Sequence, residues 1–263
     1  MKRTERQRKI LELVRRQDRA SVEELSTLLG ISYETVRRDL SDLEATGSIQ
    51  KVHGGAILPR MFGEGPFQQR MADNAEAKVK ISKAAAPLFS EGETVFINTG
   101  STTLYFIENL CETSGLTIIT NSSAIARVAS NAQTDNRVFL LGGEFSSNNH
   151  QTVGTMVAAQ ARLFQAHHAV ITIGAMDSKA GAMFFTIEEA QTAIAMIEQS
   201  QSLTVIVDKS KFDQIASFKV CELNQIDRLV CDELPTGDLD KALKNAGVDL
   251  ILAKTQKLAG QCP

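Results

Sequence analysis

The sequence predicts an α/β protein in two parts: a small helical head, then a larger domain built on a mainly parallel sheet. Three observations predict it. Residues 1–60 hold 12 Lys+Arg against 9 Asp+Glu, a net of +3, while the remainder holds 16 against 22, a net of −6. Two capped helical stretches meet across only three residues near the N-terminus. From Gly92 onward, short β-branched runs alternate with amphipathic stretches. A basic head on an acidic body implies two domains with different partners.

Composition excludes several classes. At 263 residues, with 43% hydrophobic and 22% charged residues, the chain is neither disordered nor a disulfide-stapled miniprotein. The longest apolar runs, 169–173 and 203–207, fall far short of the roughly 20 residues of a membrane helix, so no membrane partner is expected. No apolar run follows Met1-Lys2-Arg3-Thr4-Glu5-Arg6, which argues against a secretory signal. Cys111, Cys221, Cys231 and Cys262 show no CxxC spacing. Reduced thiols in a cytoplasmic protein are expected, with no metal site and no cofactor.

In the head, Ile10, Leu11, Leu13 and Val14 have helical spacing within 4–17. After a break, Ser21-Val22-Glu23-Glu24 is a capping box that starts a short helix. Gly30 closes that helix in the left-handed conformation. Ser32 caps the next, with Ile31 and Val36 as a hydrophobic staple. This is a helix-turn-helix pattern. Val36, Leu40 and Leu43 form the buried stripe, leaving Tyr33, Glu34, Thr35, Arg37 and Arg38 off it. Such residues enter a major groove, where arginine pairs with guanine or clamps phosphate. Residues 48–52 read as a strand, His53-Gly54-Gly55 as its turn and 56–58 as the return strand, a wing carrying Lys51 and His53. The expected DNA-binding set is Ser32, Tyr33, Glu34, Thr35, Arg37, Arg38, Lys51 and His53. A plain three-helix packing unit with a solvated arginine face is the bland alternative.

The head ends at 58 and residues 59–74, with Gly63, Gly65 and Pro66, read as a linker. The body spans 75–255, and 256–263 is a tail. A helix is expected over 75–89, weakened by Pro87. Strands are expected at 94–98, 117–120, 138–141, 169–174, 204–208, 229–231 and 248–252. Helices are expected near 103–112, 123–132, 155–164, 187–199 and 238–246. This alternation argues a parallel sheet covered on both faces, with ligands at the C-terminal strand ends. Four turns fall there: Asn98-Thr99-Gly100-Ser101-Thr102-Thr103, Thr120-Asn121-Ser122-Ser123, Leu141-Gly142-Gly143-Glu144 and Asp208-Lys209-Ser210-Lys211-Phe212. Small residues, hydroxyls, a helix N-terminus and lysines together make an anion site. Singly, the first turn is an ordinary helix cap and Lys209 and Lys211 are ordinary surface charges. The adjacent His167-His168 point to opposite faces of a strand, so one buried and one exposed histidine is expected rather than a metal pair.

The runs Val22-Glu23-Glu24-Leu25, Thr35-Val36-Arg37-Arg38-Asp39-Leu40 and His53-Gly54-Gly55-Ala56 resemble the winged helix-turn-helix of the DeoR family of bacterial transcriptional regulators. The body resembles that family's sugar-phosphate sensor domain, which is similar in fold to ribose-5-phosphate isomerase. The resemblance implies that Gly100, Ser101, Thr102, Thr103, Asn121, Ser122 and Lys211 surround a phosphorylated sugar. Asn98 and Gly143, from the turns themselves, complete the expected effector set. Three positions depart from the family pattern: Asn98 and His168 stand where aspartate is common, and no Lys or Arg stands just before Ala195-Met196-Ile197, where the chain reads Thr192-Ala193-Ile194. The expectation is a homo-oligomeric regulator, dimer or tetramer, that binds a double-stranded operator. It represses a carbohydrate-catabolism operon under control of a sugar phosphate. The alternative is a sugar-phosphate isomerase-like enzyme with an accessory DNA-binding head.

Overall fold

The computed structural model describes residues 3–17, 19–45, 49–52, 54–57 and 65–254. His53, the stretch 58–64 and the expected tail 256–263 lie outside them. The chain divides into two compact units, Met1–Gly65 and Pro66–Pro263.

The head contains α1 (Arg3–Gln17), β1 (Arg19–Ser21), α2 (Val22–Leu29), α3 (Tyr33–Ala45), β2 (Gln50–Val52) and β3 (Gly55–Ile57). Both capping-box bonds form: Ser21 N–H donates to Glu24 Oε2 at 2.7 Å and Glu24 N–H to Ser21 Oγ at 3.1 Å. Gly30, at φ 65°, closes α2. Ile10, Val14, Leu25, Val36, Leu40 and Ile49 pack into one core, with Ile31 against it. The strands β2 and β3 pair antiparallel as the expected wing, and β1 adds a third strand that the sequence had not suggested. Gly55 has no room for a side chain, because a Cβ there would lie 2.3 Å from Ala20 O.

The body starts earlier than expected. Residues 67–72, placed in a linker by the sequence, form α4 (Phe67–Ala72), with Phe67 buried. Then follow α5 (Ala75–Ala85), β4 (Thr94–Ile97), α6 (Ser101–Leu110), β5 (Thr117–Thr120), α7 (Ser123–Asn131) and β6 (Arg137–Leu140). A hairpin, β7 (Glu144–Ser146) and β8 (Gln151–Val153), leads to α8 (Thr155–Ala161) and β9 (Ala166–Ile171). The chain continues through β10 (Ala175–Asp177), β11 (Gly181–Phe184), α9 (Ile187–Glu198), β12 (Ser200–Val207) and β13 (Phe218–Cys221). It ends in β14 (Arg228–Cys231), α10 (Gly237–Asn245) and β15 (Asp249–Leu252). The seven expected strands make one sheet, β15-β14-β12-β9-β4-β5-β6, with every pairing parallel. A small antiparallel sheet, β10-β11-β13, and the hairpin are additions.

Alternation along the strands feeds two cores. Val95, Ile97, Val170 and Ile206 join Ile81, Phe106 and Ile125 on one face, while Phe96, Ala169, Ile171 and Val205 join Val157, Ala193 and Met196 on the other. The chain leaves β4 toward β5 and β6 but leaves β9 toward β12, β14 and β15. The point of reversal lies between β4 and β9, and there a doubly wound sheet opens a crevice at its C-terminal edge.

Cys111, Cys221 and Cys231 are free and buried. Burial pushes the Cys111 thiol up to about 11 and those of Cys221 and Cys231 up to about 12. These three thiols therefore stay unmodified by iodoacetamide at about pH 8 in the native protein and label fully in denaturant. Mass spectrometry after alkylation checks this, and rapid native labelling of any of the three contradicts the packing.

Candidate functional site

In the head, Ser32 starts α3 by accepting the Thr35 amide at 3.3 Å, with the two hydroxyls 2.9 Å apart. Tyr33, Glu34, Arg37 and Arg38 are exposed and Thr35 half-buried, whereas Val36 is fully buried. The expected outward face is present. Two acids of α3 are covered from α1: Arg6 pairs with buried Asp39, its Nη2 donating to Oδ1 at 3.0 Å, and Arg3 pairs with Asp42. Lys51 is exposed, but its ammonium donates to Ser41 Oγ at 3.0 Å. His53 lies outside the described residues.

In the body, the turns after β4, β5 and β9 meet at the point of reversal. The buried Asn98 side chain clasps the end of β9, accepting Thr172 N–H at 3.0 Å and donating to Thr172 O at 3.0 Å. Asn121 ties the second turn to the first, since its Oδ1 accepts Thr99 N–H at 3.1 Å and its Nδ2 donates to Thr152 O at 3.0 Å. Thr103 Oγ1 donates to Asn98 O at 2.8 Å. Gly100 sits so close to β9 that a Cβ would lie 2.1 Å from Thr172 Cγ2. It heads α6 without any side-chain cap, so no side chain satisfies the first-turn amides at the positive end of the helix dipole. Ser101 and Thr102 are buried beside them. Thr99 was not among the expected site residues. It is only 7% exposed, and its hydroxyl has no hydrogen-bond partner among the described residues. A buried hydroxyl left unpaired costs about 1–3 kcal/mol, so it points to a missing partner.

Other expected site residues serve the fold. Ser122 Oγ caps α7 by accepting Ile125 N–H at 3.3 Å. Gly143 is explained by packing, since a Cβ there would lie 2.7 Å from both Val153 O and Val157 Cγ2. Lys209 forms an exposed pair with Glu233 at 2.5 Å. Lys211 ends a short 3-10 turn after β12, two strands from β4. It shares the electrostatic field of buried Lys78, whose ammonium burial holds below its ordinary value while Asp208 pulls the other way. Lys78 donates to Asp73 O at 2.6 Å and to Arg70 O. His168 lies at the opposite end of the sheet from these turns, with Nε2 3.2 Å from Glu93 Oε2 but off the hydrogen-bonding direction, and His167 is exposed. No cluster able to hold a metal occurs among the described residues.

A model of the DeoR C-terminal sensor domain matches residues 73–233, and one of the DeoR-like helix-turn-helix domain matches residues 6–61. The chain belongs to the DeoR family. Among its DeoR relatives is the glycerol-3-phosphate regulon repressor of Escherichia coli (strain K12), 31% identical over 96% of this chain and 100% of that protein. The transcriptional repressor GlcR of Bacillus subtilis (strain 168) is 30% identical over 93% of this chain and 94% of that one. Among solved structures, ribose 5-phosphate isomerase A from Methanocaldococcus jannaschii gives a TM-score of 0.39 at 17% identity, covering 53% of this chain and 55% of that one. That overlap is too partial to bear on chemistry.

In this DeoR protein the approach of Gly100 to Thr172 yields a direct test. Gly100→Ala overpacks the crevice and lowers stability by about 1–3 kcal/mol. Thr172→Ser in the same chain removes the clashing methyl and restores part of the loss. Thermal denaturation of the two variants reads this, and a double mutant no more stable than Gly100→Ala contradicts the assigned clash.

Proposed function

We propose that this DeoR-family regulator is a repressor of carbohydrate catabolism, acting in the cytoplasm, whose grip on its operator is set by a phosphorylated sugar or polyol. One observation carries the effector half: the uncapped N-terminus of α6, with its unpartnered Thr99 hydroxyl, opens at the point of reversal of the sheet. A phosphate seated there takes amide hydrogens from the first turn and hydroxyls from Thr99, Ser101 and Thr102. Lys211 supplies a cation from β12. Asn98, Asn121 and Thr103 hold the cradle in shape rather than touch the ligand. The relatives' names point the same way, since the Escherichia coli protein is named for a glycerol-3-phosphate regulon. No helix among the described residues is long and apolar enough to cross a membrane.

On the DNA side, the exposed Tyr33, Glu34, Arg37 and Arg38 of α3 read the groove while Ser32, Thr35 and Lys51 flank it. One head spans too few base pairs for specificity, so the protein works as a homo-oligomer with heads on half-sites about 10 bp apart or multiples of that. The effector acts through unequal affinity for the DNA-competent and DNA-incompetent arrangements. Two candidate side chains are poorly suited to serve as the base of a catalytic role. Asn98 cannot accept a proton in that role, and the amides of Ala180 and Lys179 hold the Asp177 carboxyl below the usual range, which makes it a weak base.

Arg37→Ala and Arg38→Ala each weaken operator binding by about 1–3 kcal/mol, roughly 5- to 150-fold, with the fold intact by circular dichroism. Fluorescence anisotropy on a selected duplex measures this, and wild-type affinity in both variants overturns the groove assignment. In the same assay, with glycerol 3-phosphate and a panel of pentose and hexose phosphates as probes, Thr102→Val and Lys211→Ala retain DNA affinity and lose the effector response. An undiminished response in both places the pocket elsewhere.

A further inference from the structure

The turn after β4 is joined to α4 by an unbroken series of side-chain hydrogen bonds. It starts at the Thr99 amide, which donates to Asn121 Oδ1 at 3.1 Å. Asn121 Nδ2 donates to Gln151 Oε1 at 3.4 Å, and Gln151 Nε2 donates to Glu189 Oε1 at 3.4 Å. The same carboxylate oxygen accepts Asn149 Nδ2 at 3.1 Å, and Asn149 Oδ1 accepts Arg70 Nη2 at 2.8 Å. The other oxygen of Glu189 accepts the Thr186 hydroxyl at 2.8 Å, which anchors the carboxylate at the start of α9. A second route is shorter: Tyr105, one turn into α6, donates its hydroxyl to Met71 O in α4 at 3.1 Å.

The position of α4 in the chain gives this series its interest. It is the first described element of the body after the stretch that joins body to head. Its C-terminal carbonyls are held by the Lys78 ammonium, and Asn74, just after it, donates to Asp208 Oδ1 at 3.0 Å. The first helix of the body, with Asn74 just after it, is thus bonded to the β7–β8 hairpin, to α6 and to the turn after β12.

We propose that Arg70, Asn149 and Glu189 are positioning residues that carry effector occupancy from the α6 N-terminus to α4. This rests on the anion-site reading above. A phosphate at the head of α6 competes with Asn121 Oδ1 for the Thr99 N–H. An amide side chain that loses its donor on one side re-aims on the other, because its oxygen and nitrogen turn together. The change passes through Gln151 to the Glu189 carboxylate, which holds Asn149 and through it Arg70. The α6 dipole holds the anion, and this polar series reports it. None of the three residues needs to touch the ligand.

Hydrogen exchange on the full-length protein, with and without inorganic phosphate, tests the proposal. The expected result has two parts. In the wild type, phosphate changes exchange both in 98–103 and at the α4 amides of Arg70 and Asp73, which bond to Pro66 O and Gln69 O. In Asn149→Ala the change in 98–103 persists and the change in α4 is reduced, the Tyr105–Met71 bond remaining, with Glu189→Ala as a second variant of the same kind and Arg70→Lys retaining the α4 response. A purely structural role for Asn149 alters basal exchange but not the phosphate-dependent part. If α4 is silent in the wild type while 98–103 responds, or responds equally in both alanine variants, the relay is overturned and the anion site stands. If neither region responds to phosphate, the anion site falls and the relay with it.

Discussion

One buried amide closes the C-terminal end of the seam between β4 and β9. Asn98 leaves β4 where the two halves of the sheet part, and its side chain gives one acceptor and one donor to the backbone of Thr172 at the end of β9. The clasp extends the parallel ladder of β4 and β9 by one step, beyond the Asn98 N–H bond to Val170 O, at the point where their crossovers run opposite ways. A carboxylate at this position would supply no hydrogen for Thr172 O. Gly100 follows from the same closeness, since the Thr172 methyl occupies the space a side chain would need. Beside this close approach lie the N-terminus of α6, which no side chain caps, and the buried Thr99 hydroxyl.

Electrostatics in the head follow a comparable logic. The recognition helix α3 carries Glu34, Asp39, Asp42 and Glu44 as well as Arg37 and Arg38, a poor balance for a surface facing phosphates. Arg6 and Arg3 of α1 take up Asp39 and Asp42. The exposed Arg3 pair contributes little to stability. Its consequence lies in the field, because neutralised acids leave the exposed arginines to dominate what the helix presents. Arg6 with buried Asp39 does both, fixing α1 against α3 and masking a charge.

How much of this was legible depends on the range of the interaction. Caps and turns act within a few residues, so Ser21, Glu24, Gly30 and Ser32 were readable one by one. The seven parallel strands were readable because buried strands are continuous β-branched runs. The strands β10, β11 and β13 were missed because stretches such as Gly181-Ala182-Met183-Phe184 carry no such run. Residues 67–72 read as linker in sequence because Gly63, Gly65 and Pro66 suggest a break, yet Pro66 stands at the start of α4 and Phe67 is its buried anchor. In the site, the small-residue turn at 98–103 was visible, but the division of labour within it was not. Asn98 finds its partner 74 residues away, and nothing local distinguishes such a strut from a ligand-binding amide. Lys209 and Lys211 look alike in sequence, and only the fold brings Glu233 to the first. Thr99 emerged only from its missing partner.

The proposed regulation turns on a phosphate group bound by the body changing the hold of the head on DNA. The most direct measurement is the affinity of the full-length protein for its selected duplex, titrated with each sugar or polyol phosphate beside its unphosphorylated parent at constant ionic strength. The account predicts that at least one phosphate ester shifts the affinity by about tenfold or more, a coupling of roughly 1.4 kcal/mol, while its parent leaves the affinity unchanged. An equal shift with the parent, or no shift across the panel, contradicts it.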